Sequence, residues 1–272
     1  MILSDVAELA ARLGPGQLVA IPPDYSGVAM AATRALLAAG TRGLRLLAVP
    51  TAGLQVDLLI GAGAVDEVEA AAITLGEAGQ APRFAQAVRA RGIAMRDTTC
   101  PAVHAALQAA EKGIPFMPLR GLIGTDILAH RRDWKVVPNP FAIDEDPIVL
   151  LPAISPDVAL FHAPMADREG NVWIGRRREL ATMAHAARRS LVTVERIVEA
   201  SLLATEASAA GVLPAMYVEA IAVAPRGAWP LGCQDLYDAD GDELARYAAA
   251  ARSEAGFAAW LASFLAHPAR AP

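Results

Sequence analysis

"QLVAIPPDYSGVAMAATRALLAAGTRGLRLLAV", residues 17–49, decides the fold class. "QLVAI" (17–21) is a short, unbroken apolar run, the pattern of a strand buried on both faces. "AMAATRALLAAG" (29–40) is rich in Ala and Leu and ends on Gly40, which reads as a helix with its stop residue. "LRLLAV" (44–49) is a second apolar run. Strand, helix and strand in that order form the crossover unit of a parallel sheet.

The alternation continues outward. Apolar spacing predicts helices over 4–13 (stopped by Gly14-Pro15-Gly16), 56–63, 81–92, 102–113 and 178–189, and a pair within 240–267. Strands are predicted over 66–73, 190–195 and 215–225, and as two runs split by a proline turn within 146–163. The expectation is an α/β protein with a mostly parallel, doubly wound sheet covered by helices on both faces. It forms one domain over 1–272, with no internal repeat and no long linker. The longest irregular stretch is 127–146, and loops of that length tend to be functional or to form interfaces.

Composition removes several function classes. Hydrophobic residues make up 54% and charged residues 19%, which excludes a disordered chain. Alanine inflates the first figure, and Gly, Pro or charge breaks every apolar run short of the roughly 20 residues that span a bilayer. Asp5 and Glu8 sit where a secretory leader would be apolar, so a cytoplasmic location is expected. With a net charge of -5 and scattered basic residues, no nucleic-acid groove is expected. The basic clusters "RRRE" (176–179) and "HRRD" (130–133) are read as solvated faces in preference to phosphate grips. Cys100 and Cys233 lie far apart and read as two free thiols.

Familiar catalytic signatures are weak or missing. "GAGAVDEVE" (61–69) imitates a dinucleotide fingerprint, but Asp66 replaces its third glycine and the run follows a helix instead of a strand. There is no G-x-S-x-G elbow and no Walker A lysine motif. His104, His130, His162, His185 and His267 have no metal spacing among themselves or with the cysteines, so no metal site is expected. His162 ends a predicted strand and is the histidine best placed to face a site, although a hydrogen-bonded structural role is preferred for it. "DREGN" (167–171) reads as a tight turn in which Asp167 bonds amides and Gly170 takes positive φ. "GIPFMPLRGLIGTD" (113–126) is too broken for a helix and too apolar for an ordinary solvated loop.

Four stretches in one order carry a resemblance: "DLLIGAGAVDEVEAA" (57–71), "AALQAAEKGIPFMPLRGLIGTD" (105–126), "LLPAISPDVALFHAPMADREGNV" (150–172) and "LVTVERIVE" (191–199). With "DLYDADGDELARYAAAA" (235–251), they make the chain resemble the A (alpha) subunit of family I CoA-transferases of the glutaconate and 3-oxoacid type over nearly its whole length. The resemblance implies that the 116–126 loop lines a cleft at a subunit interface and closely approaches a thioester. Glycine there removes the Cβ barrier. Arg120 would attract a carboxylate or a CoA phosphate, or tie the loop down. Gly121, Gly124 and Thr125 share that wall, and Cys100 takes a position close to the reacting carboxylate. Asp24, Tyr25, Ser26 and Gly27 would line the other side.

The chain also departs from the family pattern. The early G-G-F-x-x-x-G-x-P stretch reads here as "IPPDYSGVA" (21–29): Gly27 is kept, while Ile21, Pro22, Pro23 and Ala29 replace its other marks. Met30-Ala31 stands where 3-oxoacid members have Glu-Asn, and a thiol at Cys100 replaces polar or acidic residues. The family's catalytic glutamate, in a Ser-Glu-Asn-Gly motif, belongs to the B chain of the enzyme, and this sequence has no such motif. The resemblance therefore implies the A half of an A2B2 heterotetramer with a B (beta) subunit as partner. It would have a coenzyme A thioester as substrate and no permanently bound cofactor. Two alternatives stay open. One is a subunit that hydrolyses a CoA thioester or a carbon–carbon bond of a cyclic CoA ester. The other is a non-catalytic subunit that binds CoA esters.

Overall fold

The computed structural model describes residues 1–266. The first half of the chain runs α1 (Val6–Ala10), β1 (Leu18–Ile21), α2 (Met30–Ala38), β2 (Leu44–Ala48), β3 (Thr51–Ala52), α3 (Leu54–Gly61), β4 (Val65–Ala70), β5 (Ala72–Ile73), α4 (Pro82–Arg89), β6 (Ala94–Asp97) and α5 (Cys100–Glu111). An excursion follows: β7 (Phe116–Leu119), α6 (Ile127–His130), β8 (Lys135–Pro138) and β9 (Pro147–Pro152). The second half runs β10 (Val158–Asp167), β11 (Val172–Trp173), α7 (Arg178–Ala186), β12 (Ser190–Val198), α8 (Glu206–Ala209), β13 (Val212–Leu213), β14 (Val218–Val223), α9 (Gly241–Ala250) and α10 (Glu254–Ala266). The helical pair expected over 240–267 thus falls within the described residues except for His267, which lies outside them.

The central sheet is parallel from β6 through β4, β2, β1, β10 and β12 to β14. β1 sits in the middle, with Val19 beside Leu46 on one side and Val158 on the other. The chain winds outward from β1 in one direction, returns, and winds outward in the other. That is the doubly wound arrangement, with its switch point between β1 and β10. The strands read as continuous apolar runs because both faces are covered. Val19, Ile21, Leu46, Val158 and Leu160 enter one core with α2, α3 and α10. Ala20, Leu47, Ala159 and Phe161 enter the other with α5 and α7. This alternation is the two-residue period of a strand.

Two readings need correction. The apolar run 147–152 is not in the central sheet. It is the middle strand of a separate antiparallel sheet, β7-β9-β8, which packs on α5 through Ala105, Leu122, Trp134 and Leu151. The broken stretch 113–126 and the irregular stretch 127–146 supply its other strands. "HRRD" is also not simply a solvated face. Arg131 is buried, bonds Glu69 Oε1 at 2.8 Å, the Asp97 carbonyl at 2.9 Å and Asp133, and stacks on Trp134. It ties the excursion to the ends of β4 and β6. The 61–69 run descends from helix α3 into β4, the reverse of a dinucleotide fingerprint. The turn at 167–171 forms as read: Asp167 accepts from the Glu169, Asn171 and Leu202 amides, and Gly170 has φ +93.

Gly27 has φ +75, and a Cβ there would stand 2.2 Å from the His162 carbonyl oxygen. Gly27→Ala should therefore cost about 2–4 kcal/mol, the sum of left-handed strain and overpacking against backbone. Gly124→Ala meets nothing within 4 Å and should cost about 1 kcal/mol, from φ alone. Urea unfolding of both variants checks the contrast. Equal losses would mean that the Gly27 contact is not the constraint.

Candidate functional site

The loops that follow the parallel strands open on a common edge of the sheet. In open α/β sheets, ligands settle there, outside the strand ends at the switch point. A cleft of about 1560 Å³ lies at this edge. Asp24 and Tyr25 reach it after β1, Thr51 after β2, Thr74–Ala78 after β5, Trp173 at the end of β11, Arg176–Arg178 just beyond it, and Cys233 and Tyr237 from the loop before α9.

Asp24 has two functions in its fold position. Its Oδ2 accepts from the Leu54 amide at 3.0 Å, at the start of α3. The N-cap of that helix is Gly53, which has no side chain to offer. A Cβ on residue 53 would fall 2.2 Å from that same Asp24 oxygen, so a carboxylate from a distant loop occupies the capping position. The other oxygen, Oδ1, is buried with no hydrogen-bond partner among the described residues. Burial pushes the Asp24 carboxyl up to about 6; the Leu54 and Gly53 amides oppose the rise, and the charge of Asp57 adds to it.

The other sequence-derived candidates divide into groups. Tyr25 is exposed at the cleft mouth, with the Arg177 guanidinium 5.9 Å from its ring centroid. Ser26 and Gly27 do not line the cleft. Ser26 is buried and donates to Glu179, and Gly27 lies against His162 and accepts from its amide at 2.7 Å. Cys100 is exposed on the first turn of α5, after Thr99, whose hydroxyl accepts from the Ala102 amide. Arg120 is exposed and held bidentately by Asp146 at 2.8 and 2.5 Å, which holds the Asp146 carboxyl down at about 2. Gly121 and Gly124 face open space, and Thr125 donates to the Leu122 carbonyl. Cys100 and residues 120–125 lie outside this cleft.

Behind the cleft wall is a buried network. His162 bonds Thr193 Oγ1 through Nδ1 at 2.9 Å and Glu195 Oε1 through Nε2 at 2.8 Å. Glu195 also accepts from Tyr237 Oη at 2.6 Å and from the Arg226 and Gly227 amides. Burial alone would raise the Glu195 carboxyl, but the His162 and Tyr237 bonds outweigh it and leave the group lowered. Cys233 brings its sulfur within 4.8 Å of ligand atoms on His162 and Glu195, a grouping with the donor types of a metal site. Both ring nitrogens and both carboxylate oxygens are already engaged, and burial with the Glu195 charge pushes the thiol up to about 12. The network anchors the loop that carries Tyr237. Sequence reading missed Trp173, Cys233 and Tyr237 as cleft residues. It saw Arg176–Arg178, but as a solvated face.

A family model described as Coenzyme A transferase matches residues 3–224. The chain is 30% identical over 247 residues to the cholesterol ring-cleaving hydrolase IpdA subunit of Rhodococcus jostii, covering 87% of this chain and 82% of that one. It is 29% identical over 257 residues to the A subunit of 3-oxoadipate CoA-transferase from Pseudomonas knackmussii, covering 92% and 88%. Glutaconate coenzyme A-transferase from Acidaminococcus fermentans superimposes with a TM-score of 0.87 over 96% of this chain and 87% of that one, at 24% identity, which speaks for the fold alone. A 33% identical match to a protein of Archaeoglobus fulgidus takes in 80% of this chain but 48% of the relative, so the chain spans about half the length of that relative. Among the described residues, no helix is long and apolar enough to cross a membrane.

Two outcomes are expected here. Asp24 ionises in the unfolded chain near 3.8 but in the folded chain only near 6, so its contribution to stability is full below pH 3.8 and is lost as pH rises to 6 and beyond. Asp24→Asn should remove up to about 3 kcal/mol of that loss, less where cleft water screens the charge. Unfolding titrations at pH 4 and 7 check this, and a wild-type-to-variant difference that ignores pH would overturn it. Separately, iodoacetamide should modify exposed Cys100 at least about tenfold faster than buried Cys233, followed by peptide mass spectrometry.

Proposed function

The chain belongs to the coenzyme A transferase family, and from that premise we propose that it is the A half of a two-chain acyl-CoA:carboxylate CoA-transferase. The observation that carries this reading is the family match over 3–224, which runs through every strand-end loop of the first half and both arms of the switch point. Relatives of similar length are named as A subunits, which supports a B partner and, with it, an A2B2 assembly.

The proposed chemistry is covalent catalysis divided between chains. A glutamate of the B partner attacks the thioester carbonyl and expels the CoA thiolate, leaving a mixed anhydride. The thiolate returns to the glutamyl carbonyl and releases the first acid, leaving a glutamyl thioester. A second carboxylate then attacks that thioester and frees the thiolate again. The thiolate takes the new acyl group and restores the glutamate. Splitting one hard transfer into easier steps is the advantage of such an intermediate. This chain would supply cleft walls and amide donors for the developing oxyanion, a type of contact worth roughly 3 kcal/mol per donor.

One observation favours a second reading, hydrolysis. Asp24 places a carboxyl with a value near 6 on the cleft, in the loop that departs most from the family pattern. A group that exchanges protons near neutrality suits general acid–base work on water. A relative named as a ring-cleaving hydrolase, 30% identical, points the same way.

The test is co-production with a candidate B chain, followed by assay of a panel of acyl-CoA esters with and without acetate as acceptor. New acyl-CoA formed only by the complex supports transfer. Free CoA released without an acceptor supports the second reading. Turnover by this chain alone, at a rate comparable to the complex, would sink the two-chain reading.

A further inference from the structure

The segment after β11 turns sharply at Gly175, φ +58, and enters α7 through three consecutive arginines. All three line the cleft. Most of the other arginines in the fold have settled partners: Arg12, Arg45, Arg83, Arg96, Arg120 and Arg131 each pair with a carboxylate. Among the described residues, Arg176, Arg177 and Arg178 have no ion pair and no side-chain hydrogen bond. Arg177 Nε is buried with no acceptor, a state that costs free energy unless something fills it. The nearest acid on their helix, Glu179, is engaged by Ser26. Arg177 is also the N-cap of α7, a nine-residue helix with no side-chain cap, so the positive helix end adds to the same field. The carboxylates of the cleft, Asp24, Glu77, Asp235 and Asp238, are on other loops and form no ion pair with this cluster among the described residues.

Three unneutralised guanidinium groups side by side call for an anion carrying more than one charge. Guanidinium forks match phosphate oxygens two at a time. The cleft, at about 1560 Å³, is larger than a short organic acid would fill. Tyr25, 66% exposed beside Arg177, offers a free aromatic face at the same mouth. A phosphorylated nucleotide presents both the charges and a ring to stack on such a face.

We propose that Arg176, Arg177 and Arg178 form a phosphate seat that receives the phosphate-bearing nucleotide end of a CoA ester, with Tyr25 stacking on its base. This rests on the reading of the chain as a CoA-ester enzyme, but the seat can be tested apart from it.

The probes are 3′,5′-ADP, CoA and glutarate, titrated calorimetrically into the full chain. 3′,5′-ADP and CoA should bind, more weakly as salt rises, and glutarate should bind far more weakly. Arg178→Gln should weaken 3′,5′-ADP binding about tenfold, and Arg176→Gln with Arg178→Gln about a hundredfold. Both side chains are exposed, so folding should survive, and circular dichroism checks that it does. Tyr25→Ala should weaken the nucleotide without altering the binding of inorganic pyrophosphate. Unchanged 3′,5′-ADP affinity in the double variant, or no binding by the wild-type chain at millimolar concentration, would overturn the seat. Glutarate binding that is lost in the double variant, with no effect on 3′,5′-ADP, would overturn the phosphate assignment in favour of a carboxylate. If the seat binds but the complex turns over no CoA ester, the functional reading fails and the seat stands. If the complex transfers CoA with an unchanged KM in the double variant, the reverse holds.

Discussion

Where residue 27 would carry a side chain, the carbonyl oxygen of His162 already stands, 2.2 Å from the position of a Cβ. The loop after β1 therefore lies directly on β10, fastened by the His162 amide on the Gly27 carbonyl. This close backbone approach fixes the switch point of the sheet. The neighbouring Ser26 hydroxyl reaches Glu179, so α7 is fastened to the same loop. Once both contacts are made, the uncapped start of α7 and its arginines must face the cleft edge, and Asp24 and Tyr25 must stand at its mouth. A glycine and a serine outside the cleft lining thus determine where the charged groups are.

Asp24 shows how the fold uses a costly group. A carboxyl that burial drives up toward 6 would not be kept for stability alone, since a side-chain cap on residue 53 could satisfy the helix end at lower cost. Asp24 takes the capping position from outside, displaces any side chain at 53, and still leaves one oxygen without a donor. Asp57, inside the helix whose start Asp24 caps, contrasts with it. That buried carboxyl is also raised by desolvation, but both its oxygens are used, by the Phe84 amide and the Tyr247 hydroxyl, and it joins three helices. The first carboxyl lines the cleft with one oxygen unbonded among the described residues, and the second is fully committed to packing.

The parallel sheet was legible because its strands are continuous apolar runs and its helices end on glycine, both local signals. The antiparallel excursion was not. "PIVLLP" is as apolar as any central strand, and nothing within the run says that its neighbours are the proline-broken 116–119 and the short 135–138. Partner choice is a property of the whole chain. Charges failed for the same reason: "HRRD" and "RRRE" look alike in sequence, yet Arg131 is buried between Glu69 and Asp133 while Arg176–Arg178 line the cleft with no ion pair among the described residues. In the early loop, the sequence singled out residues 24–27 as one lining group. The structure splits them by burial, Asp24 and Tyr25 toward the cleft and Ser26 and Gly27 toward the sheet.

The stretch 113–126 owes its stiffness to contacts outside itself. Arg120 is clamped by Asp146, which also accepts from Asn139, so one carboxylate joins three segments of the excursion. Leu122 anchors the loop from below in the small core with Trp134. The result is a rigid platform whose outer side carries Phe116, Ile123, Val136, Phe141 and Ile143, the last two almost fully exposed. Apolar residues held in place by ion pairs and proline are poorly suited to a surface that meets only water. In a single chain they lose burial that the rest of the fold secures for most comparable side chains. Such a platform is the kind of surface that the proposed B partner would cover, beside the glycines of the 113–126 loop.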